Sequence, residues 1–412
     1  MDDERAQRIG TRVRMARLRR GLTLKETAQA AGVSTGFLSM VENGKRLLDS
    51  SRHIAALAEV LRTTPSELTG RQLPAPDRAS ADAHAAVPAL RLALMGAGLW
   101  ARPPGPPPPE SVLAARVAEA NSRYHAAAYG VLAASLPDLL ADLHAATGAH
   151  TGHERRRLLR LLVAAYHPAT VMLLKYLNYT DLAFIAVTRA AEVAAELEDP
   201  AHTALSGFFT AHVLMTAGSP GQALQHATDA SATLEPHLST PAAHALLGEL
   251  HLISASAITL DRNRSGASRI ADVLGHLKEA TALAKRTGES RAWHLNFGAA
   301  NIGIHRVSLN TDLHQYSSAL AAGSVPQAGM SSLPAGRQAA FHTDLGRSLA
   351  HTRGNESRAV VELLTAERLA PQRVRGNPLV AETLRGLVRR RLPDHTRRDL
   401  QGLAHRIGMT SS

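Results

Sequence analysis

The stretch GVSTGFLSMVENGKR (32–46) predicts a short helix with two unlike faces. Val33, Leu38 and Val41 recur at the spacing that lines one side of a helix, so this side is expected to be buried. The opposite side carries small, uncharged groups that can exchange hydrogen bonds or touch a methyl group: Thr35, Gly36, Ser39 and Met40. Because the protein's own core does not need this second face, it is available to a partner.

Local signals mark the ends of this helix and of the one before it. Ser34 is a good N-cap, and Asn43-Gly44 ends the helix because both residues tolerate the left-handed conformation. Thr23 caps the preceding helix, LKETAQAA, which ends at Gly32. Two helices joined by such a tight turn predict a helix-turn-helix.

The elements that position this pair fall within residues 1–70, where the sequence predicts five short helices. The first runs from about Arg5 to Arg20, the fourth begins near Ser51, and Thr64 begins a last turn. Residues 71–110 are rich in Pro, Ala and polar side chains and are interpreted as a linker with a short helix near 88–100. Helix follows helix through the rest of the chain, 111–412.

Composition supports an all-α fold. Hydrophobic residues make up 45% of the 412 residues but aromatic residues only 3%, and Ala and Leu dominate, which favours closely packed helices. The chain has no cysteine, so disulfides and thiolate zinc sites are excluded. The sequence shows neither a signal peptide nor an apolar run of about 18 residues. We therefore expect a cytoplasmic protein without a membrane segment.

A weak repeat recurs at the joints between helices of 111–412. Each joint has Gly or Asn followed by two alanines five and twelve positions later: Asn178/Ala183/Ala190, Gly218/Ala223/Ala230 and Gly354/Ala359/Ala366. Small residues at such positions let neighbouring helices approach closely. The pattern resembles tetratricopeptide repeats and predicts a divergent α-superhelix, with an irregular helical domain as the alternative.

The segment GLTLKETAQAAGVSTGFLSMVENGKR (21–46) resembles the Cro/repressor-type (XRE) helix-turn-helix family, a resemblance that covers about 70 of the 412 residues. It implies binding to double-stranded DNA, with the second helix of the pair in the major groove. The implied base-reading residues are Thr35, Gly36, Ser39 and Met40, and the implied phosphate contacts are Ser34, Asn43, Lys45 and Arg46.

Two further basic residues, Arg14 and Arg17, lie in the first helix, where they either attract DNA or form a solvated face. Glu42 is interpreted differently. A carboxylate near an anionic duplex costs free energy, so we expect Glu42 to pair with an arginine inside the domain.

An XRE-type domain joined to tetratricopeptide-like helices resembles the peptide-sensing quorum regulators of the RRNPP group. The resemblance implies a homodimer whose concave face binds a signalling peptide, often through Asn side chains. From residue type, we predict Asn178 as a ligand contact. Within WHLNFGAANIGIH (293–305) we predict His294, Phe297 and Asn301, which would share one helical face; the alternative for Phe297 is a place in the hydrophobic core.

The leading hypothesis is thus a dimeric transcriptional regulator on a palindromic operator that senses a peptide or other small molecule. The alternative is a scaffold that recruits a protein partner to DNA without a ligand. A pocket lined by Asn and aromatic residues would favour sensing, and a flat, charged concave face would favour a scaffold. Catalytic and phosphate-binding motifs and a metal-ligand arrangement are missing from the sequence, so we predict no enzyme activity, cofactor or metal.

Overall fold

The computed structural model describes residues 2–69, 78–96, 105–261, 263–264, 266–323 and 327–409. Regular structure in these ranges is helical, apart from one antiparallel bridge between Ser290 and Phe297. The predicted all-α class is confirmed. Parts of the predicted linker, 71–77 and 97–104, lie outside the described residues.

The N-terminal unit contains the five predicted helices. They are α1 (Asp2–Arg19), α2 (Leu24–Ala30), α3 (Thr35–Glu42), α4 (Ser51–Leu61) and α5 (Pro65–Thr69). Both predicted caps form: the Thr23 hydroxyl accepts from the Glu26 backbone N–H in a capping box, and the Ser34 hydroxyl accepts from that of Phe37. Leu38 and Leu57 are fully buried in the small core that holds these helices together.

Residues 78–96 do not behave as a linker. They form α6 (Arg78–Ala85) and α7 (Val87–Gly96), two helices that pack against a long helix of the following domain. Leu90 and Leu94 are fully buried and belong to that domain's hydrophobic core. The short helix predicted near 88–100 is present as α7, whereas α6 was not predicted. Because both helices pack on the repeat domain, the linker interpretation is corrected for 78–96.

The remaining chain is a succession of helices that pack mainly against their sequence neighbours. They are α8 (Glu110–His125), α9 (Tyr129–Ala149), α10 (Gly152–Ala164), a π-turn (Ala165–Thr170), α11 (Val171–Tyr176), α12 (Thr180–Ala195), α13 (Pro200–Ala217), α14 (Pro220–Leu234), a 3-10 turn (Glu235–His237), α15 (Pro241–Leu260), α16 (Gly266–Thr287), a 3-10 turn (Ala292–His294), α17 (Ala299–Asp312), α18 (Tyr316–Ala322), α19 (Gln327–Ser331), α20 (Ala335–Ala350), α21 (Glu356–Leu369), α22 (Pro371–Arg375), α23 (Pro378–Val388) and α24 (Asp394–Arg406). Neighbouring pairs such as α13–α14 and α20–α21 bury their shared faces, as expected for a helical-repeat domain.

The predicted joints have the expected geometry. Asn178, Gly218 and Gly354 have φ values of 62°, 86° and 81°, in the left-handed region. The alanines of the pattern are all buried at helix contacts. At Gly346, an added Cβ would lie 2.9 Å from the Leu363 side chain, so this position needs glycine for close approach of α20 and α21.

The N-terminal unit docks on the repeat domain through α4, α5 and the turn before α4. Ser51 donates a hydrogen bond to Asp312 at 3.1 Å, and the His351 ring lies 3.1 Å from the Asp49 carboxylate. Pro65 packs against Gly218 in the joint between α13 and α14. The two units therefore share a polar and apolar contact that leaves α3 on the outside.

Two stretches, Gly152–Tyr176 and Pro241–Leu260, are long and apolar enough to cross a membrane by length and composition alone. In each, 78% of the apolar window is buried inside the protein. Core helices of soluble proteins pass the same test, so these stretches are weak evidence for a membrane span.

Candidate DNA-binding surface and ligand cavities

Helix α3 presents the face that the sequence analysis assigned to base reading. Thr35 and Gly36 are exposed, Met40 is 39% exposed and Ser39 is partly exposed. Leu38 and Val41 are buried beneath them and hold α3 on the domain. The helix can therefore approach a partner without any rearrangement of the core.

The predicted phosphate contacts surround this face. Ser34, Asn43, Lys45 and Arg46 are exposed at the two ends of α3, and Arg14 is exposed on α1. The Arg46 guanidinium lies over the Phe37 ring at 4.9 Å, which holds it beside α3. Backbone N–H groups at the start of α3 add to the positive potential at this end. Contact of these residues with DNA stays a prediction.

Arg17 differs from the prediction. It is only 8% exposed, and its guanidinium donates two hydrogen bonds to the Glu42 carboxylate, at 2.7 and 2.8 Å. A third bond, at 2.9 Å, goes to the Leu22 carbonyl. Arg17 thus ties α1 to the end of α3, which corrects its assignment as a DNA contact. The expected pairing of Glu42 with an arginine inside the domain is confirmed.

The repeat domain encloses a cavity, here named the inner cavity, between α8, α11, α13, α15, α17, α20 and α22. The volume of this cavity is about 80 Å³. Aromatic side chains form much of its wall: Tyr124, Tyr176, Phe208 and Phe209. The predicted ligand residues His294 and Asn301 line it together with Asn296. An Asn- and aromatic-lined pocket is the feature expected of a sensor.

The segment before α17 reaches this cavity by a route that the helical-face prediction missed. Trp293 and His294 have φ values of 49° and 59°, and α17 begins only at Ala299. The Ser290 N–H donates to the Phe297 carbonyl at 2.7 Å, so 290–297 forms a tight loop. The shared helical face proposed for His294, Phe297 and Asn301 is therefore wrong, because only Asn301 is in an α-helix.

Two of the predicted ligand residues lie elsewhere. Phe297 is 1% exposed and packs on Gly248, where an added Cβ would overlap its ring. It belongs to the hydrophobic core, which corrects its assignment as a ligand contact. Asn178 lines a second cavity, and its amide is 3.4 Å from the Gly376 carbonyl.

This second cavity, here named the inter-domain cavity, lies between the DNA-binding unit and the repeat domain. The volume of this second cavity is about 410 Å³. One wall comes from α4 and α5, including Ile54 and Pro65, and the other comes from α11, α13, α22 and α23. Tyr176 and Arg373 line both cavities and form the partition between them.

Three cationic side chains gather around this partition. The Arg373 guanidinium lies over the Tyr176 ring at 3.9 Å and donates to the Gly336 carbonyl at 2.6 Å. The Lys175 ammonium lies 3.3 Å from the His212 ring nitrogen. Burial lowers the pKa of both Lys175 and Arg337. Although burial opposes its ionisation, Tyr176 has a lowered pKa because Arg373 and Lys175 stabilise the phenolate.

One carboxylate, Glu249 of α15, faces these cations from the inner cavity's described lining. It accepts a hydrogen bond from the Asn301 amide at 3.0 Å. Burial raises its pKa from 4.5 to about 7, although Arg337 and Asn301 oppose the shift. The pKa values of the cavity histidines His212 and His305 lie well below normal, mainly through burial, so both rings are neutral at pH 7.

The cavity cations come from positions far apart in the chain, 175, 337 and 373, so no local sequence pattern groups them. For two of the charged residues, however, the surrounding sequence is informative. Lys175 interrupts the apolar run VMLLKYL, and Glu249 is the one Asp, Glu, Lys or Arg residue of the mostly apolar helix α15. A single charge inside a buried helix is a candidate functional group.

Comparison with known proteins identifies the N-terminal unit. Residues 8–72 match the family model described as a helix-turn-helix domain. No curated protein matches the chain. Among solved structures, the chain is similar to Bacillus thuringiensis PlcR in complex with the peptide PapR7 and DNA, at 12% identity and a TM-score of 0.31, over 77% of this chain and 94% of that one. A TM-score this low does not establish a common fold.

Proposed function

We propose that this protein is a cytoplasmic, sequence-specific transcriptional regulator that binds a palindromic operator as a homodimer and senses a peptide or other small molecule in its repeat domain. The helix-turn-helix match at residues 8–72 and the exposed face of α3 support the DNA-binding part. Phosphate contacts by Lys45 and Arg46 supply affinity, and Thr35, Ser39 and Met40 supply base contacts.

The inter-domain cavity, one wall of which belongs to the repeat domain, supports the sensing part of the proposal. A ligand there would contact α4 and α5 of the DNA-binding unit and the repeat domain at the same time. Such a ligand favours whichever arrangement of the two units gives it more contacts. A change in that arrangement alters the separation of the two reading helices in a dimer and hence operator affinity.

The first experiment is a genome-wide pull-down of DNA on the purified protein, with and without an extract of small molecules and peptides. A shared palindrome whose occupancy changes with the extract is the expected result. Occupancy that ignores the extract would favour the ligand-independent scaffold, and no enriched sequence would contradict DNA recognition by α3.

Variants then test the reading face on the recovered operator. Thr35→Ala and Ser39→Ala should each weaken operator binding by about 1 kcal/mol and leave random DNA unaffected, because each loses one hydrogen bond to a base. Lys45→Ala should weaken binding to both DNAs and reduce the salt dependence. Lys278→Ala, which removes an exposed lysine of α16, is the charge control. Equal losses on both DNAs for Thr35→Ala and Ser39→Ala would place base reading elsewhere.

A further inference from the structure

The inner cavity and its partition carry more positive than negative charge. Lys175, Arg337 and Arg373 contribute three basic side chains, and they face a single carboxylate, Glu249, among the described lining residues of the two cavities. Because the pKa of Glu249 is raised to about 7, that carboxylate is only about half ionised at neutral pH. At least one of the two guanidinium charges therefore has no carboxylate to compensate it.

Two polar atoms at this site are buried without a hydrogen-bond partner in the described part of the chain. They are Nε of Arg337, a donor, and Oδ1 of Asn301, an acceptor. Asn301 is 2% exposed, and its amide nitrogen is already engaged by Glu249. Leaving a buried polar atom without a partner costs free energy, and the cost is larger for a charged group. Both atoms belong to residues that line the inner cavity.

We propose that the inner cavity binds the anionic group, a carboxylate or a phosphate, of a small ligand through Arg337 and Arg373, with Lys175 adding positive charge and Asn301 accepting a hydrogen bond from the ligand. A cavity of about 80 Å³ has room for a few water molecules, and a carboxylate or phosphate group needs a similar space. Planar guanidinium groups match the two oxygens of a carboxylate or phosphate.

The partition gives this site a connection to the DNA-binding unit. Arg373 lies over Tyr176, and both residues also line the inter-domain cavity opposite α4 and α5. An anion that attracts Arg373 competes with its contacts to Tyr176 and to the Gly336 carbonyl. The consequence for DNA rests on the proposed function, whereas binding of the anion is measured without DNA.

The test is thermal unfolding of the full chain with three probes at constant ionic strength set by sodium chloride. Inorganic phosphate represents the phosphate class, N-acetylalanine represents the carboxylate class, and N-acetylalanine amide is the uncharged match. At least one anion should raise the melting temperature above the chloride baseline, and the amide should not. The more effective anion identifies the class of ligand. A wild-type protein that neither anion stabilises more than chloride does would overturn the proposal.

Arg337→Met removes the charge and keeps an apolar stem, and Arg160→Met removes an exposed arginine of α10 as the matched control. The cavity variant should bind the anion about tenfold more weakly, because a charge-assisted hydrogen bond is lost, and the control should bind like the wild type. Without anion, Arg337→Met should melt higher than the wild type, since a buried uncompensated charge is gone. If Arg337 had only a structural role, Arg337→Met should instead melt at a lower temperature than the wild type. Lys175→Met provides a second variant with the same expectations, and unchanged anion binding in both variants would overturn the proposal.

If the anion binds but no operator is found, the cavity assignment survives and the regulator assignment fails. If an operator is found but neither anion binds, the reverse holds. The two proposals therefore fail independently.

Discussion

Replacement of Glu249 by glutamine should stabilise the protein, and more so at high pH. In the folded protein the pKa of Glu249 is raised from 4.5 to about 7 by burial. Between pH 4.5 and about 7 the folded protein keeps the Glu249 proton, whereas the unfolded chain releases it. This carboxyl therefore favours the folded state least above pH 7. Its contribution is lost as pH rises from about 4.5 to about 7. A glutamine side chain keeps a carbonyl oxygen to accept the Asn301 hydrogen bond but has no charge to bury.

The expected size follows from the two pKa values. The difference between 4.5 in the unfolded state and about 7 in the folded state corresponds to about 3 kcal/mol when the folded-state carboxyl is fully ionised, at about pH 8.5. At about pH 5.5 only the unfolded-state carboxyl is ionised, and the difference falls to about 1 kcal/mol. Glu249→Gln should therefore exceed the wild type in free energy of unfolding by these amounts.

Urea denaturation at both pH values, with Glu235→Gln as the exposed control, provides the measurement. Titrating groups remote from Glu249 contribute equally to wild type and variant, so the pH dependence of the difference reports on Glu249 and the groups that interact with it. A stabilisation that is the same at both pH values, or smaller at the higher pH, would refute the claim that Glu249 is buried with a raised pKa.

Two further changes test the packing of the two units. Arg17→Met leaves the Glu42 carboxylate buried without its partner and should cost about 3 kcal/mol of stability in urea denaturation; a loss below about 1 kcal/mol would mean that the pair is solvated. Leu94→Ala should also cost about 3 kcal/mol, because the side chain is fully buried in the core of the repeat domain, whereas Leu92→Ala at a 70% exposed position of the same helix should cost little. Equal, small effects of the two leucine variants would restore the linker interpretation of 78–96.

The errors in the sequence-based predictions have physical reasons. Arg17 lies on the same basic helix as Arg14, and sequence cannot tell which arginine meets Glu42 across 25 residues of chain. Residues 293–298 are not α-helical: Phe297 packs on Gly248, and Gly298 has a φ of 155°, a conformation that favours glycine. Tertiary burial overrides local propensity in such cases.

Local patterns in the sequence are enough to predict the all-α class, the helix-turn-helix and the joints of the repeat domain. Thr23 and Ser34 act within three residues of themselves, and Gly218 and Gly354 act at their own backbone, so short-range chemistry decides these features. Which charged side chains meet depends on the tertiary fold. Lys175, Arg337 and Arg373 come together because separate helices converge on one cavity. Electrostatic energy depends on distance in space and on burial, neither of which is written in the local pattern of residues.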